Sequence, residues 1–226
     1  GEPHVFTFAA ATGPVVALEA PRIGKKHTNI YDWVRVVRHE YTHTATLAIT
    51  NNRIPHWFTE AAAVYMENAP RDYTTCRQLA YALRAGELFD FEEINIAFVR
   101  PKKPNDRALA YAQAHWMYQY MVERWGPEAP LEIMAGYKRG EREGSLIEEV
   151  LKVSPEVFLV EFKSWAAAQV RAWGLDPDPS IEDLRYAETM ADPVLRDKIG
   201  ESLDEHLRGL GCAALIGGEA DPFEME

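Results

Sequence analysis

Cysteine is nearly missing from this chain. The two present, Cys76 and Cys212, are far apart and stand outside any C-x-x-C pair. That excludes a disulfide framework and a thiolate zinc site, and each reads as a small apolar residue of the interior. Long apolar runs are lacking too, so nothing in the sequence is built to span a membrane, and no signal-peptide pattern heads it. Gly1 stands where an initiator Met would, so a processed or excised N-terminus is expected and the compartment stays open. Positive charge is in deficit: a formal net charge of −11 argues against nucleic acid or an anionic membrane as partner. No fixed-period repeat is visible. With 226 residues, 47% of them hydrophobic, the chain can bury a sizeable core, and one domain, or one with an appendage, is expected.

Against these absences one pattern stands out, His39-Glu40-Tyr41-Thr42-His43. On a helix, residues four apart project from one face, separated by roughly 6 Å along the axis. Two imidazoles so placed can bind one tetrahedral ion, with Glu40 beside them reaching a water. A catalytic zinc site needs a third protein ligand, and Glu60 is the natural candidate, because a helix–turn–helix can bring it back over His39 and His43. Trp33, Val36, Val37, Ala45, Leu47, Ala48 and Ile49 make the carrier helix apolar over most of its circumference, which predicts burial. Hydrogen-bonded core histidines are the plain alternative. Yet two His and a Glu on a buried helix are costly unless something compensates them, and a metal would.

With its downstream partner Pro55-His56-Trp57-Phe58-Thr59-Glu60-Ala61, this stretch resembles the gluzincin zinc peptidases, the thermolysin-like clan with Glu as third ligand. More narrowly it resembles peptidase MA-like domains, which carry a P-x-W-x-x-E-G element at this distance; here Ala61 replaces the Gly. The resemblance covers roughly residues 4–173 and is specific over 36–66. It implies Zn²⁺ held by His39, His43 and Glu60, a peptide or protein substrate, and Glu40 as general base. A Tyr-Ala-Gln element of similar domains is matched by Tyr111-Ala112-Gln113, which makes Tyr111, or His115 on the same helix face, the expected oxyanion donor. Core packing of both residues is the competing reading. Thermolysin-like enzymes place an acidic residue four after the Glu ligand, where this chain has Val64. Glu67, seven after Glu60, returns to the same face and could hold a ligand His by its second nitrogen. His56 also shares that face. In gluzincins an edge strand ahead of the H-E-x-x-H helix binds substrate, and residues 13–19 could serve that way or simply form a covering hairpin.

The fold class expected is α+β, predominantly helical: a zincin-like catalytic domain with a small N-terminal β-sheet and C-terminal helices. Strands are predicted at His4–Phe8 and Val15–Ala20, with a turn at 11–14. Helices are predicted at about 31–49, 56–68, 74–85, 106–125, 127–140, 144–152 and 155–173, with residues 87–91 and the Pro101/Pro104 stretch read as a loop-like cleft wall or lid. The domain would span 1–173, a Pro-rich linker 174–180 and a helical appendage 181–226. Three other readings stay open beside the peptidase. They are a catalytically silent zinc-binding interaction module of a larger helical-repeat protein, a metal-dependent hydrolase of a non-peptide amide or ester, and a helical protein without metal.

Overall fold

Caps and apolar stripes account for most of the structure, a computed structural model that describes residues 9–18 and 32–175. Asp32 starts helix α1 (Trp33–Thr50), its carboxylate accepting from the Arg35 N–H at 3.1 Å. Asn51 ends the helix in the left-handed region. Pro55 then occupies the cap position of α2 (His56–Met66). Asp72 caps α3 (Tyr73–Ala85), and Gly86 closes it with φ +68°. Helices α4 (Phe91–Val99), α5 (Asp106–Trp125), α6 (Glu128–Arg139) and α7 (Glu143–Leu146) follow. A π-helical turn at Ile147–Leu151 and helix α8 (Pro155–Ala172) complete the described chain. The strands β1 (Ala9–Thr12) and β2 (Val15–Leu18) form one antiparallel hairpin, pairing Ala9 with Leu18 and Thr12 with Val15. The predominantly helical α+β class is the one observed.

Several boundaries differ from the sequence reading. β1 occupies residues that the turn was expected to take, because the reversal needs only Gly13, at φ +56°, and Pro14. α4 lies between two stretches expected to be loop-like, 87–91 and Pro101/Pro104, where no helix was predicted. Asp90 accepts from the N–H groups of Glu92 and Glu93, and the Glu93 carboxylate accepts from the Asp90 N–H, a complete capping box. Phe91, Ile94, Ala97 and Phe98 supply its buried stripe. The predicted strand at 4–8, most of the linker and the whole appendage lie outside the described residues. No helix among the described residues is long and apolar enough to cross a membrane.

The chain divides into two compact units, Gly1–Arg71 with Leu88–Phe162, and Asp72–Glu87 with Lys163–Glu226. In the second, Leu79, Ala80 and Ala82 of α3 are buried. The first is organised on α2, in which seven consecutive residues, Trp57 to Ala63, are buried. α2 packs between α1 and α5, and the hairpin lies along α1. Around α2 sit Trp116, Met117 and Met121 of α5, with Ile133, Leu146, Phe158 and Phe162 also fully enclosed. The Trp57 indole N–H donates to Glu143 at 2.7 Å, and the Tyr137 hydroxyl donates to the same carboxylate oxygen at 2.8 Å, so these two ring groups of the core share one acceptor.

Gly136 is where α6 meets α7 most closely. A Cβ built there would lie 1.9 Å from a terminal methyl of the fully buried Leu146. Gly136→Ala should therefore cost about 1–3 kcal/mol and lower Tm by about 2–10 °C. Combining it with Leu146→Ala should recover part of that loss relative to Leu146→Ala alone, as read by thermal denaturation of the four-member cycle.

Candidate metal centre

α1 and α2 run back to back, so pairs of residues along one meet pairs along the other in reverse order. Thr46 Oγ1 lies 2.8 Å from Thr59 Oγ1, and one turn back along α1 His43 meets Thr59 and Glu60. A further turn back, His39 meets Glu60 and Glu67. The two imidazoles cross at 80° with centroids 4.7 Å apart. Their Nε2 atoms are 3.0 Å apart, and Glu60 Oε2 stands 3.3 Å from one and 3.4 Å from the other. Among the described residues these three form a group able to hold a metal ion.

Donor atoms each about 2.0–2.1 Å from a tetrahedral ion are roughly 3.3–3.4 Å from one another. The three observed separations fit that figure, the imidazole pair being slightly closer. Glu60 Oε2 is also a buried oxygen that accepts no hydrogen bond. A native interior rarely leaves such an atom unmatched, and a cation between it and the two Nε2 atoms would match it. The residues present fit a metal.

The outward nitrogens are held as well. His39 Nδ1 donates to Glu67 Oε1 at 2.7 Å, and His43 Nδ1 lies 2.9 Å from Thr59 Oγ1. A carboxylate can only accept, so the His39 proton on that side is fixed on Nδ1, the arrangement that presents Nε2 to the cluster. Glu67 in turn accepts from the Arg35 guanidinium, and its backbone carbonyl lies 3.5 Å from Arg38 Nη1. The acidic partner missing at Val64 is thus supplied two turns of helix after Glu60, at Glu67. The sequence reading did not single out Thr59, Thr46 or Arg35. Arg35 alone carried a signal, lying four before His39 on the same face.

The other expected residues separate into two groups. Glu40 is buried, with no hydrogen bond to its carboxylate among the described residues, and its charge reaches Tyr111. Tyr111 packs edge-on against Phe98 at 4.8 Å. Burial, then the negative charge of Glu60, pushes its pKa up to about 12. His115, one turn on, faces Tyr65 at 6.2 Å. Burial, and then the charge of Arg71, lowers its pKa to about 4, with Glu67 opposing and Arg35 adding to the fall. Tyr111 therefore belongs with Glu60 and Glu40, and His115 with Glu67 and its arginines. His56 Nε2 lies 3.5 Å from Glu60 Oε1 and packs edge-on against Phe98 at 5.1 Å, so α4 forms a wall touching both His56 and Tyr111. The expected burial of α1 on most sides is not observed. Trp33 and Ile49 are about half exposed, and the buried residues are Glu40, Thr46 and Thr50. The face α1 buries is its polar one, because that face carries the cluster.

The chain belongs to the Peptidase MA superfamily, whose family model matches residues 11–156 and so takes in every residue of this centre. No curated protein and no solved structure matches the chain.

Two outcomes follow from the centre's electrostatics. Burial lowers the His39 pKa, but the carboxylates of Glu60 and Glu67 outweigh it and raise the group to about 9. Glu60 is held ionised, near 2: burial raises it, and the polar contact and positive charge of the two histidines facing it more than reverse that. An incoming cation must displace the second His39 proton. Affinity for added Zn²⁺ should then climb about tenfold per pH unit between pH 7 and 9, as measured with a competing chelator. An affinity flat across that interval would contradict the assignment. Glu67→Gln should weaken the same affinity about 10–100-fold without unfolding the protein, as followed by chelator competition and circular dichroism.

Proposed function

We propose that this chain is a zinc-dependent peptidase of the gluzincin type, with His39, His43 and Glu60 as ligands. The observation that carries the reading is the buried, hydrogen-bond-free Oε2 of Glu60 facing two Nε2 atoms whose opposite nitrogens are already held. Zinc bound there would supply Lewis acidity, polarising a carbonyl and making water acidic enough to ionise near neutral pH.

The remaining chemistry falls to the chain's own residues. Glu40 follows His39 directly and its carboxylate has no hydrogen bond among the described residues, so it is available to take a proton from the attacking water and return it to the leaving amine. Tyr111 keeps its proton at neutral pH, since its pKa stands near 12, and a neutral phenol can donate to the oxyanion that develops on the scissile carbonyl. Glu67 and Thr59 hold the imidazoles in one tautomer and orientation. The presence of Glu67 where Val64 left a gap supports an intact catalytic centre over a silent one. Ala61 is fully buried in α2, so its methyl group is accommodated within the core.

Cleavage profiling on a mixed peptide library tests the reading. Glu40→Gln should keep about one zinc per chain and lose turnover, because an amide preserves shape but cannot shuttle the proton. Near-wild-type cleavage by that variant would contradict the assigned base. Tyr111→Phe should lower kcat by about 10²–10³ with zinc content unchanged and KM little moved, because only the hydroxyl is removed. If His115→Ala shows that loss and Tyr111→Phe does not, the donor is His115.

A further inference from the structure

Helical repeat places Arg38 and Thr42 on the flank of α1 turned away from Glu40. There the structure has a cavity of about 800 Å³, lined by Arg38, Tyr41 and Thr42, by Tyr65 and Met66 at the end of α2, and by His115 of α5. That size is in the range of sites that enclose a small ligand or a large side chain. Two aromatic rings, a thioether, Ala69 and Pro70 supply its apolar walls, and Asn68 adds an amide beside Arg38, Thr42 and His115. The Thr42 hydroxyl is committed to the Arg38 carbonyl at 2.7 Å. His115, kept neutral by burial and by Arg71, can donate or accept one hydrogen bond without bringing charge.

Arg38 is the unusual member. Arg35, one turn earlier, is paired with the Glu67 carboxylate. Arg38 has only the Glu67 backbone carbonyl, at 3.5 Å, and no carboxylate within ion-pair distance among the described residues. A net charge of −11 means carboxylates are plentiful in this chain, yet none of the described ones is within ion-pair distance of Arg38. A guanidinium at the mouth of an aromatic-walled cavity matches a carboxylate on a short aliphatic stem, because its planar donors pair with two oxygens at once.

We propose that this cavity, outside the groups of the metal centre, is a docking site for a carboxylate-bearing residue of the peptide substrate. Arg38 pairs with the carboxylate, and Tyr41, Tyr65 and Met66 enclose the stem. The inference rests on the peptidase reading and narrows it to acidic peptides. The carboxylate can come from an Asp or Glu side chain or from the peptide's own C-terminus.

Both sources are separable by binding measured without turnover. Fluorescent hexapeptides carrying Glu, Gln or Lys at each position in turn, as free acids and as C-terminal amides, are titrated against zinc-loaded full-length Glu40→Gln protein. At one position Glu should bind about tenfold or more tighter than Gln, the expected worth of a charge-assisted pair. Adding Arg38→Gln should erase that difference, and Arg38→Glu should favour Lys, with zinc content and circular dichroism unchanged in both. If the free acid outbinds the amide about tenfold whatever the side chain, and Arg38→Gln removes that preference, the cavity holds a chain terminus and the proposal stands. Equal binding of all peptides, or a preference that survives Arg38→Gln, overturns it. Wild-type cleavage without any Arg38-dependent preference contradicts the docking site alone. An Arg38-dependent preference with no wild-type cleavage contradicts the peptidase reading alone.

Discussion

A carboxylate buried between two imidazoles is the constraint on which the rest of this unit depends. Glu60 is ionised, is almost wholly removed from water, and points one oxygen at His39 and His43 without a hydrogen bond. Such a group is costly to bury unless opposite charge is placed against it. The helix pair is arranged so that this happens. α1 turns its polar face inward, α2 is buried over seven consecutive residues to carry Glu60 to that face, and α5 closes the far side with Tyr111.

The same constraint explains why the polar groups around the centre are nearly all committed elsewhere. Thr46, Thr44 and Thr50 bond back to carbonyls of their own helix, and Thr59 bridges Thr46 and His43. Glu67 is occupied by His39 and Arg35. Glu60 Oε2 and, among the described residues, the Glu40 carboxylate stand apart from this pattern, and these are the atoms the proposed chemistry requires. Rigid surroundings with a few reactive groups left uncommitted are what a preorganised site needs.

Much of this centre was legible in the sequence because helical spacing is a strong rule. An offset of four from His39 to His43 requires a shared face, and one of seven from Glu60 to Glu67 brings the second carboxylate round to the first. The short Thr50–Pro55 connection was enough to bring α2 back over α1. Thr59 was not legible, since a threonine beside a ligand forms no pattern until the facing helix is known. α4 was legible too, since Asp90 and Glu93 form a capping box followed by an apolar stripe, but no helix was expected between the loop-like 87–91 and Pro101/Pro104 stretches. The burial of α1 was read from the count of apolar residues, and that count misled because the exposed Trp33 and Ile49 lie off the face the cluster occupies.

X-ray absorption at the zinc edge of the loaded protein tests the central claim most directly, because it reports the ligand atoms without any assay of activity. The account predicts nitrogen and oxygen neighbours at about 2.0–2.2 Å, no sulfur, and the multiple scattering of two imidazole rings, reduced to one in His39→Ala. A sulfur shell, or scattering without imidazole, would contradict it.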